Sequence, residues 1–329
     1  MWRIDVRFLF VYILVALVAS VDAQQRLTHL LDIPSRFANP AELRFERGYT
    51  IVIDRLGSAF PGPQDDKVSV LNDAGQEIFS RSPGTDLPDA RIVTLEHASI
   101  DSDGVIAVAV QAWNSAGSLA AALLLYDVSN PRPLRVIRTN PVICLNVAFD
   151  FDHSIWCLGP DVDAAKAGRD DYSLLWRYAR SGELRSQALA RRSLPPGKNP
   201  WSRLATLDVD NEGVSAWFPP AESFVRVTAD ATRIDRLPPP PASIPGESVQ
   251  LISLAGRRPI MLVVTRGSSQ DRSSLYRRFF ELDTSGKAWS PLSSAWPELR
   301  IGIWPIGRDR DQIVFWDRYQ RSLVRLATR

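Results

Sequence analysis

Side chains that carry chemistry are scarce in this chain. Its 329 residues include three histidines, two cysteines and two methionines, and only Lys67, Lys166, Lys198 and Lys287 are lysines. His29, His97 and His153 stand far apart, so no pair has the spacing of metal ligands, and a zinc site would have to be assembled from distant acids. No Gly-x-Ser-x-Gly occurs, which removes the nucleophile elbow of a serine hydrolase. Glycine-rich phosphate loops are missing as well. The formal net charge is only +2, so neither nucleic acid nor an anionic surface is an expected partner. Arginine dominates the basic residues, and composition alone assigns that no function. Past residue 23 no apolar run approaches the roughly twenty residues of a membrane-spanning helix. Helical periodicity is absent too, apart from a weak trace over Ala116 to Leu125, which leaves an all-β chain.

The first residues are of another kind. Met1 to Arg7 carries Arg3 and Arg7, Phe8 to Ala19 is an unbroken apolar run, and Val21-Asp22-Ala23 follows as a cleavage site. This order predicts an export signal over residues 1–23, cleaved after Ala23, and one domain over residues 24–329 that is soluble and secreted or periplasmic. An uncleaved anchor is the alternative. Export implies an oxidising compartment, where Cys144 and Cys157 are expected to pair. They lie on the two arms of a hairpin turning near residue 151, opposite or diagonal on one face and within disulfide reach. Closing so short a loop stabilises by about 3 kcal/mol through chain entropy.

Against these absences stands a rhythm. The turn Asp101-Ser102-Asp103-Gly104 returns as Asp150-Phe151-Asp152-His153 and as Asp210-Asn211-Glu212-Gly213. A second set of turns, at Gly75, Asn130, Gly182, Ala231, Gly286 and Gln320, recurs about every fifty residues. Apolar runs bounded by Gly, Pro, Asn and Asp fill the space between. Six units result, over Glu42 to Ser82, Ile92 to Thr139, Val142 to Leu194, Arg203 to Leu237, Ser248 to Leu292, and Arg300 to Ala327. Radial repetition of four-stranded units is the plan of a β-propeller, most simply with six blades, five or seven being the alternatives. The last unit is one strand short, and Leu27 to Ile33 is a spare strand able to complete it and remove an open edge. Pro238 to Pro241 is read as a stiff extended connection.

Asn146-Val147-Ala148-Phe149-Asp150-Phe151-Asp152-His153-Ser154-Ile155-Trp156 shows the repeating unit best, with Ala205 to Trp217 and Ala98 to Val108 as further copies. This unit resembles the secreted six-bladed propellers of the NHL and TolB-like kind. Ala255-Gly256-Arg257 and Asp309-Arg310-Asp311 stand where the last two units lack the acidic turn. The resemblance implies an architecture and transfers no activity.

The acidic turns themselves are read structurally: Asp caps the turn through its own backbone, and Gly takes positive φ. Trp156, Trp217 and Trp316 are expected in the core between blades. If the acidic-turn hairpins are the inner strands, all their turns share one face and the long connections emerge on the other. Functional loops concentrate where a rigid scaffold presents them together. On that face Asp161, Asp163, Asp170 and Asp171 supply negative charge, and Arg191, Arg192 and Trp201 supply cations and an indole. The expectation is a monomeric, non-enzymatic module, without cofactor, that binds a protein or a glycan through the long-loop face. The alternative is a metal-dependent hydrolase resembling the gluconolactonase-type propellers, which implies a divalent cation such as Ca²⁺ in the central channel. Asn146 and Asp208 are its candidate ligands here, although Asn146 is one residue out of register with that family's Asn and no Glu completes the set.

Overall fold

The computed structural model describes residues 27–37, 40–55, 66–195, 206–210, 213–218, 221, 223–228, 230–231, 233–236, 247–255, 258–265, 277–283, 288–291, 303–309 and 312–327. The segment expected to be an export signal, the four-proline run and Trp201 lie outside the described residues.

After an opening strand, β1 (Thr28–Asp32), the chain runs through successive antiparallel meanders. The first is β2 (Glu42–Glu46), β3 (Tyr49–Arg55), β4 (Asp66–Leu71) and β5 (Glu77–Arg81). The second is β6 (Ile92–Ile100), β7 (Val105–Trp113), β8 (Leu119–Asp127) and β9 (Asn130–Arg138). The third is β10 (Asn146–Phe149), β11 (Ile155–Leu158), β12 (Ser173–Tyr178) and β13 (Leu184–Ala190). Then come β14 (Thr206–Asp210), β15 (Gly213–Phe218), β16 (Ser223–Thr228) and β17 (Ile234–Arg236), followed by β18 (Glu247–Ala255), β19 (Arg258–Thr265), β20 (Arg277–Leu282) and β21 (Trp289–Pro291). The chain ends on β22 (Ile303–Asp309), β23 (Gln312–Asp317) and β24 (Ser322–Ala327). The first three meanders fall within the limits that the turn rhythm assigns to their units.

Alternating burial explains why these segments are strands. Along β2, Leu43 and Phe45 are buried while Glu42, Arg44 and Glu46 face the other way. Strands in the middle of a sheet are buried on both faces and read as continuous apolar runs, as in β7, β11 and β15. The cores lie between neighbouring sheets. Ile51, Ile53 and Val68 meet Val93, Leu95 and Leu124. Leu123 and Ile137 meet Val147, Phe149 and Cys157, and Trp156 and Leu175 meet Val214, Ala216 and Val225. Trp156, Trp217 and Trp316 are all core residues.

The ring closes as the spare strand suggested. β1 pairs antiparallel with β24, with Leu31 opposite Leu323 and Asp32 opposite Ser322. The first and last meanders then share one eight-stranded sheet through a parallel bridge between β2 and β22, Phe45 to Gly307. Gly307 is required there, because a Cβ would sit 2.0 Å from the Phe45 carbonyl oxygen. Inner strands lie side by side around the axis, β6 next to β10, β10 next to β14, and so on to β22 and β2. This is the circuit of a β-propeller.

The disulfide joins Cys144 and Cys157. Cys157 lies on β11 opposite Val147, and Cys144 lies just before β10. Residues 142–145 continue the antiparallel pairing beyond β10, Leu145 N–H donating to the Leu158 carbonyl and Ile143 N–H to that of Pro160, which sets Cys144 diagonal to Cys157. Both sulfurs are buried in the core between the second and third meanders.

Candidate functional site

Because strand direction alternates, the β6–β7 and β8–β9 turns share a face, and the β7–β8 and β9–β10 connections share the opposite one. The acidic turns therefore gather on one side near the axis, with the long loops on the other, as the sequence implied.

The acidic turns are built as expected. Gly104 N–H donates to the Asp101 carbonyl at 3.1 Å, and Ser102 N–H to the Asp101 carboxylate at 2.6 Å. Gly104 has φ +83°; at the same place in the next repeat His153 has φ +64°, a region an L side chain rarely enters. What the turn pattern does not show is how the turns fasten to one another. The Asp101 carboxylate, 1% exposed, accepts from Arg47 of the β2–β3 turn, Arg180 of the β12–β13 turn and His153 Nδ1, the last at 2.7 Å. Arg180 also bonds both oxygens of Asp103 at 2.7 Å, and this guanidinium holds the Asp103 carboxyl down at about 2. Three meanders thus meet on one buried carboxylate. In the third, Asp150 accepts from Arg177 at 2.6 Å and from the Trp156 indole at 3.0 Å.

Below this ring the inner strands are stitched by side chains. Val147 N–H on β10 donates to His97 Nδ1 at 3.2 Å, and Phe149 N–H donates to Ser99 Oγ at 3.3 Å. Ser99 Oγ and Ile100 N–H both donate to Glu46, at 2.8 and 3.1 Å. Arg44 lies against the His97 ring and Glu46, and Glu42 is 3.2 Å from His97 Nε2. Burial, aided by the Arg44 charge, pushes the His97 pKa below its usual value, while Glu42 is held low chiefly by His97 and Arg44 against the effect of burial. Inner edges that cannot pair by backbone alone are satisfied by these side chains.

On the long-loop face, Asp161 caps a short helix, α1 (Val162–Lys166), accepting from Asp163 N–H at 3.0 Å and Ala164 N–H at 2.8 Å. One oxygen of its carboxylate, Oδ1, accepts both cap hydrogen bonds. Arg191 and Arg192 form a single 3₁₀ turn tied to the acidic loop, since Arg191 N–H donates to the Tyr172 carbonyl and Arg192 N–H to that of Asp170, both at 2.8 Å. The exposed Asp170 and Asp171 are thereby brought beside the two arginines, and Asp171 also lies 3.4 Å from Arg169. Between the second and third meanders opens a cleft of about 350 Å³, lined by Leu119, Asn140, Pro141, Ile143, Val162, Asp163 and Lys166. Its wall includes a cis Asn140–Pro141 peptide. Asp163 is the one expected contact residue in it. The apolar half of the cleft comes from loop residues that charge and aromatic content did not mark.

The lactonase-type metal centre meets a different environment. Asn146 is buried on β10, and Asp208, on β14, accepts from its own neighbour Val209 N–H at 3.0 Å. Among the described residues one grouping of three His, Cys, Asp or Glu side chains exists, Asp101, Asp103 and His153. Arg180 already donates to both of its carboxylates.

No protein-family model matches the chain, and no curated protein does so either. Solved structures do. The β-propeller domain of the Trilobed protease from Pyrococcus furiosus is 10% identical, covering 85% of this chain and 78% of that one, with a TM-score of 0.45. A putative TolB from Agrobacterium tumefaciens is 11% identical over 81% and 87%, with a TM-score of 0.43. A structure of a nidogen/laminin complex is 9% identical over 84% of both chains, with a TM-score of 0.41. The likeness is one of architecture. It carries no activity with it.

Proposed function

We propose that this protein is an exported, monomeric recognition propeller of six four-stranded blades, which binds a protein partner through its long-loop face. The observation that carries the reading is the cleft between the second and third meanders. It has an apolar wall of Leu119, Pro141, Ile143 and Val162 and a rim bearing Asp163 and Lys166, the form that receives an apolar anchor side chain within a polar border. Asp170, Asp171, Arg191 and Arg192 extend that border with charge of both signs. A glycan would use an aromatic platform, and the described lining supplies none. The buried disulfide and the absence of any described helix able to cross a membrane are compatible with export.

The test is photo-crosslinking in the producing cell, with benzoyl-phenylalanine in place of Lys166. A discrete covalent adduct is expected from this position and not from Arg185 on the opposite face. Val162→Arg, which fills the cleft, should abolish it. No adduct at 166, or one indifferent to Val162→Arg, would remove the cleft from the proposal.

The hydrolase reading is separated by a second measurement. Melting in Ca²⁺, Mg²⁺ or Zn²⁺ against EDTA should show no shift, because arginines already neutralise the carboxylates of the inner turns. An ion bound at a hundred times its dissociation constant adds about 2.7 kcal/mol. A shift of that size would restore the lactonase-like centre.

A further inference from the structure

The outer strand of the second meander differs from its counterparts. Outer strands β1, β5, β13, β17 and β21 are three to seven residues long, whereas β9 has nine. Short outer strands are one way propellers protect their edges. The first half of β9 is blunted by Pro131 and Pro133, which have no N–H to offer. The second half, Leu134 to Arg138, has no such guard.

Its backbone is open. Thr139 N–H donates to the Ala121 carbonyl at 3.0 Å, and the register continues with Arg138 opposite Ala122, Ile137 opposite Leu123 and Val136 opposite Leu124. Hydrogen-bonded and non-bonded pairs alternate along an antiparallel ladder. Ile137 therefore bonds toward β8, while Val136 and Arg138 turn their N–H and C=O groups toward the open edge. No strand among the described residues pairs with that edge.

The side chains give the edge a character. Leu134, Val136 and Arg138 share one face, with Leu134 53% and Val136 41% exposed, and exposed Ile78 stands on the neighbouring outer strand β5. A bulge at Leu134 sets Arg132 off from that alternation, but along the strand the two apolar residues still stand between exposed arginines, and β9 contains no acid. Neither Arg132 nor Arg138 pairs with a carboxylate among the described residues.

We infer that the Leu134–Arg138 edge of β9 is a strand-addition site for an extended acidic segment of a partner protein, with Asp or Glu alternating with apolar residues. Backbone hydrogen bonds from the open edge would supply affinity, and alternating contacts to Leu134, Val136 and the arginines would supply specificity. A second copy of this chain is disfavoured as the occupant, since pairing β9 with itself sets arginine against arginine. The site is separate from the long-loop face and does not depend on the reading given there.

The probe is a fluorescein-labelled hexapeptide, Glu-Val-Asp-Val-Glu-Val, titrated with the full chain in fluorescence anisotropy, with Lys-Val-Lys-Val-Lys-Val as its charge-reversed control. Two variants report on different parts of the site. Val136→Pro removes an outward N–H while sparing the β8 ladder, and Arg132→Glu with Arg138→Glu reverses exposed charges that the fold does not use. Expected are saturable binding of the acidic peptide, weakening by about tenfold or more in each variant, and preference for the lysine peptide in the charge-reversed protein. Loss on charge reversal with Val136→Pro unaffected would mean electrostatic adhesion without strand addition and would overturn the inference. So would equal binding of both peptides, or no binding by the parent protein.

Discussion

Replacing Asp101 by Asn tests the central structural claim, that one carboxylate fastens three meanders. Asn keeps the shape and one acceptor oxygen but removes the charge. Arg47 and Arg180, whose side chains are 27% and 28% exposed, would then face each other across a neutral amide. Removing one partner of a buried ion pair costs about 3–5 kcal/mol, because the remaining charge stays desolvated. Residual solvent at the arginines and the surviving Asp103–Arg180 pair put Asp101→Asn near the lower limit, at about 3 kcal/mol. Urea unfolding should show this as a lower midpoint at unchanged m-value. A double-mutant cycle makes the test specific. In Asp101→Asn combined with Arg180→Met, the loss should be clearly less than the sum of the single losses, since the stranded charge has gone. A cost below about 1 kcal/mol for Asp101→Asn, the range of an exposed pair, would refute the hub. Strict additivity in the cycle would do the same.

Three further outcomes are expected. Cys144→Ser with Cys157→Ser should lower stability by about 3 kcal/mol, and dithiothreitol should affect the parent protein but not the variant. Gly307→Ala drives a methyl group to 2.0 Å from the Phe45 carbonyl, so the melting midpoint should fall and hydrogen exchange should quicken in β2 and β22 ahead of the other strands. His97 is held neutral in the fold, so the unfolded chain takes up a proton that the native state refuses as pH drops below about 6.5. Stability should therefore decline from pH 6.5 downward. A second step is expected below about pH 4.5, where Glu42 loses the stabilisation that its lowered pKa represents, and His97→Asn should remove the first step and weaken the second, since His97 is the chief group holding Glu42 low.

What the sequence made legible follows the range of the interactions involved. Strand limits and the repeat depend on neighbours a few residues apart, so bounded apolar runs and the Asp-x-Asp turns announced them. The pairing of Cys144 with Cys157 was also readable, because both lie along the arms of one antiparallel hairpin. Asp161 carries a local signal that charge did not mark, since Asp161-Val162-Asp163-Ala164 is a helix cap. The Asp101 network was illegible because its partners, Arg47, His153 and Arg180, lie 54, 52 and 79 residues away. Arg47 belongs to the first meander and His153 and Arg180 to the third, and only ring geometry brings them to Asp101 of the second. The cleft escaped notice for the same reason, its walls coming from Leu119, the residues around Pro141, and α1.

The abundance of arginine, which composition left without meaning, acquires one from this geometry. A guanidinium can bridge two carboxylates and still lie flat on an aromatic ring, which an ammonium cannot. Arg180 does this over Phe149, with its charge shared between Asp101 and Asp103, and Arg177 does so over Trp156 while bonding Asp150. The short-turn face is thus closed by cations that belong to the fold itself. Its carboxylates are already committed, so the charge still available to a ligand lies elsewhere, on the long-loop rim and along the outer edge of β9. An Arg180→Lys variant separates the two roles. It keeps the charge but should lose most of the bridge, lowering stability while leaving photo-crosslinking from position 166 unchanged. If crosslinking fell in proportion to stability, ring closure and recognition would be one property, and the division between the two faces would be wrong.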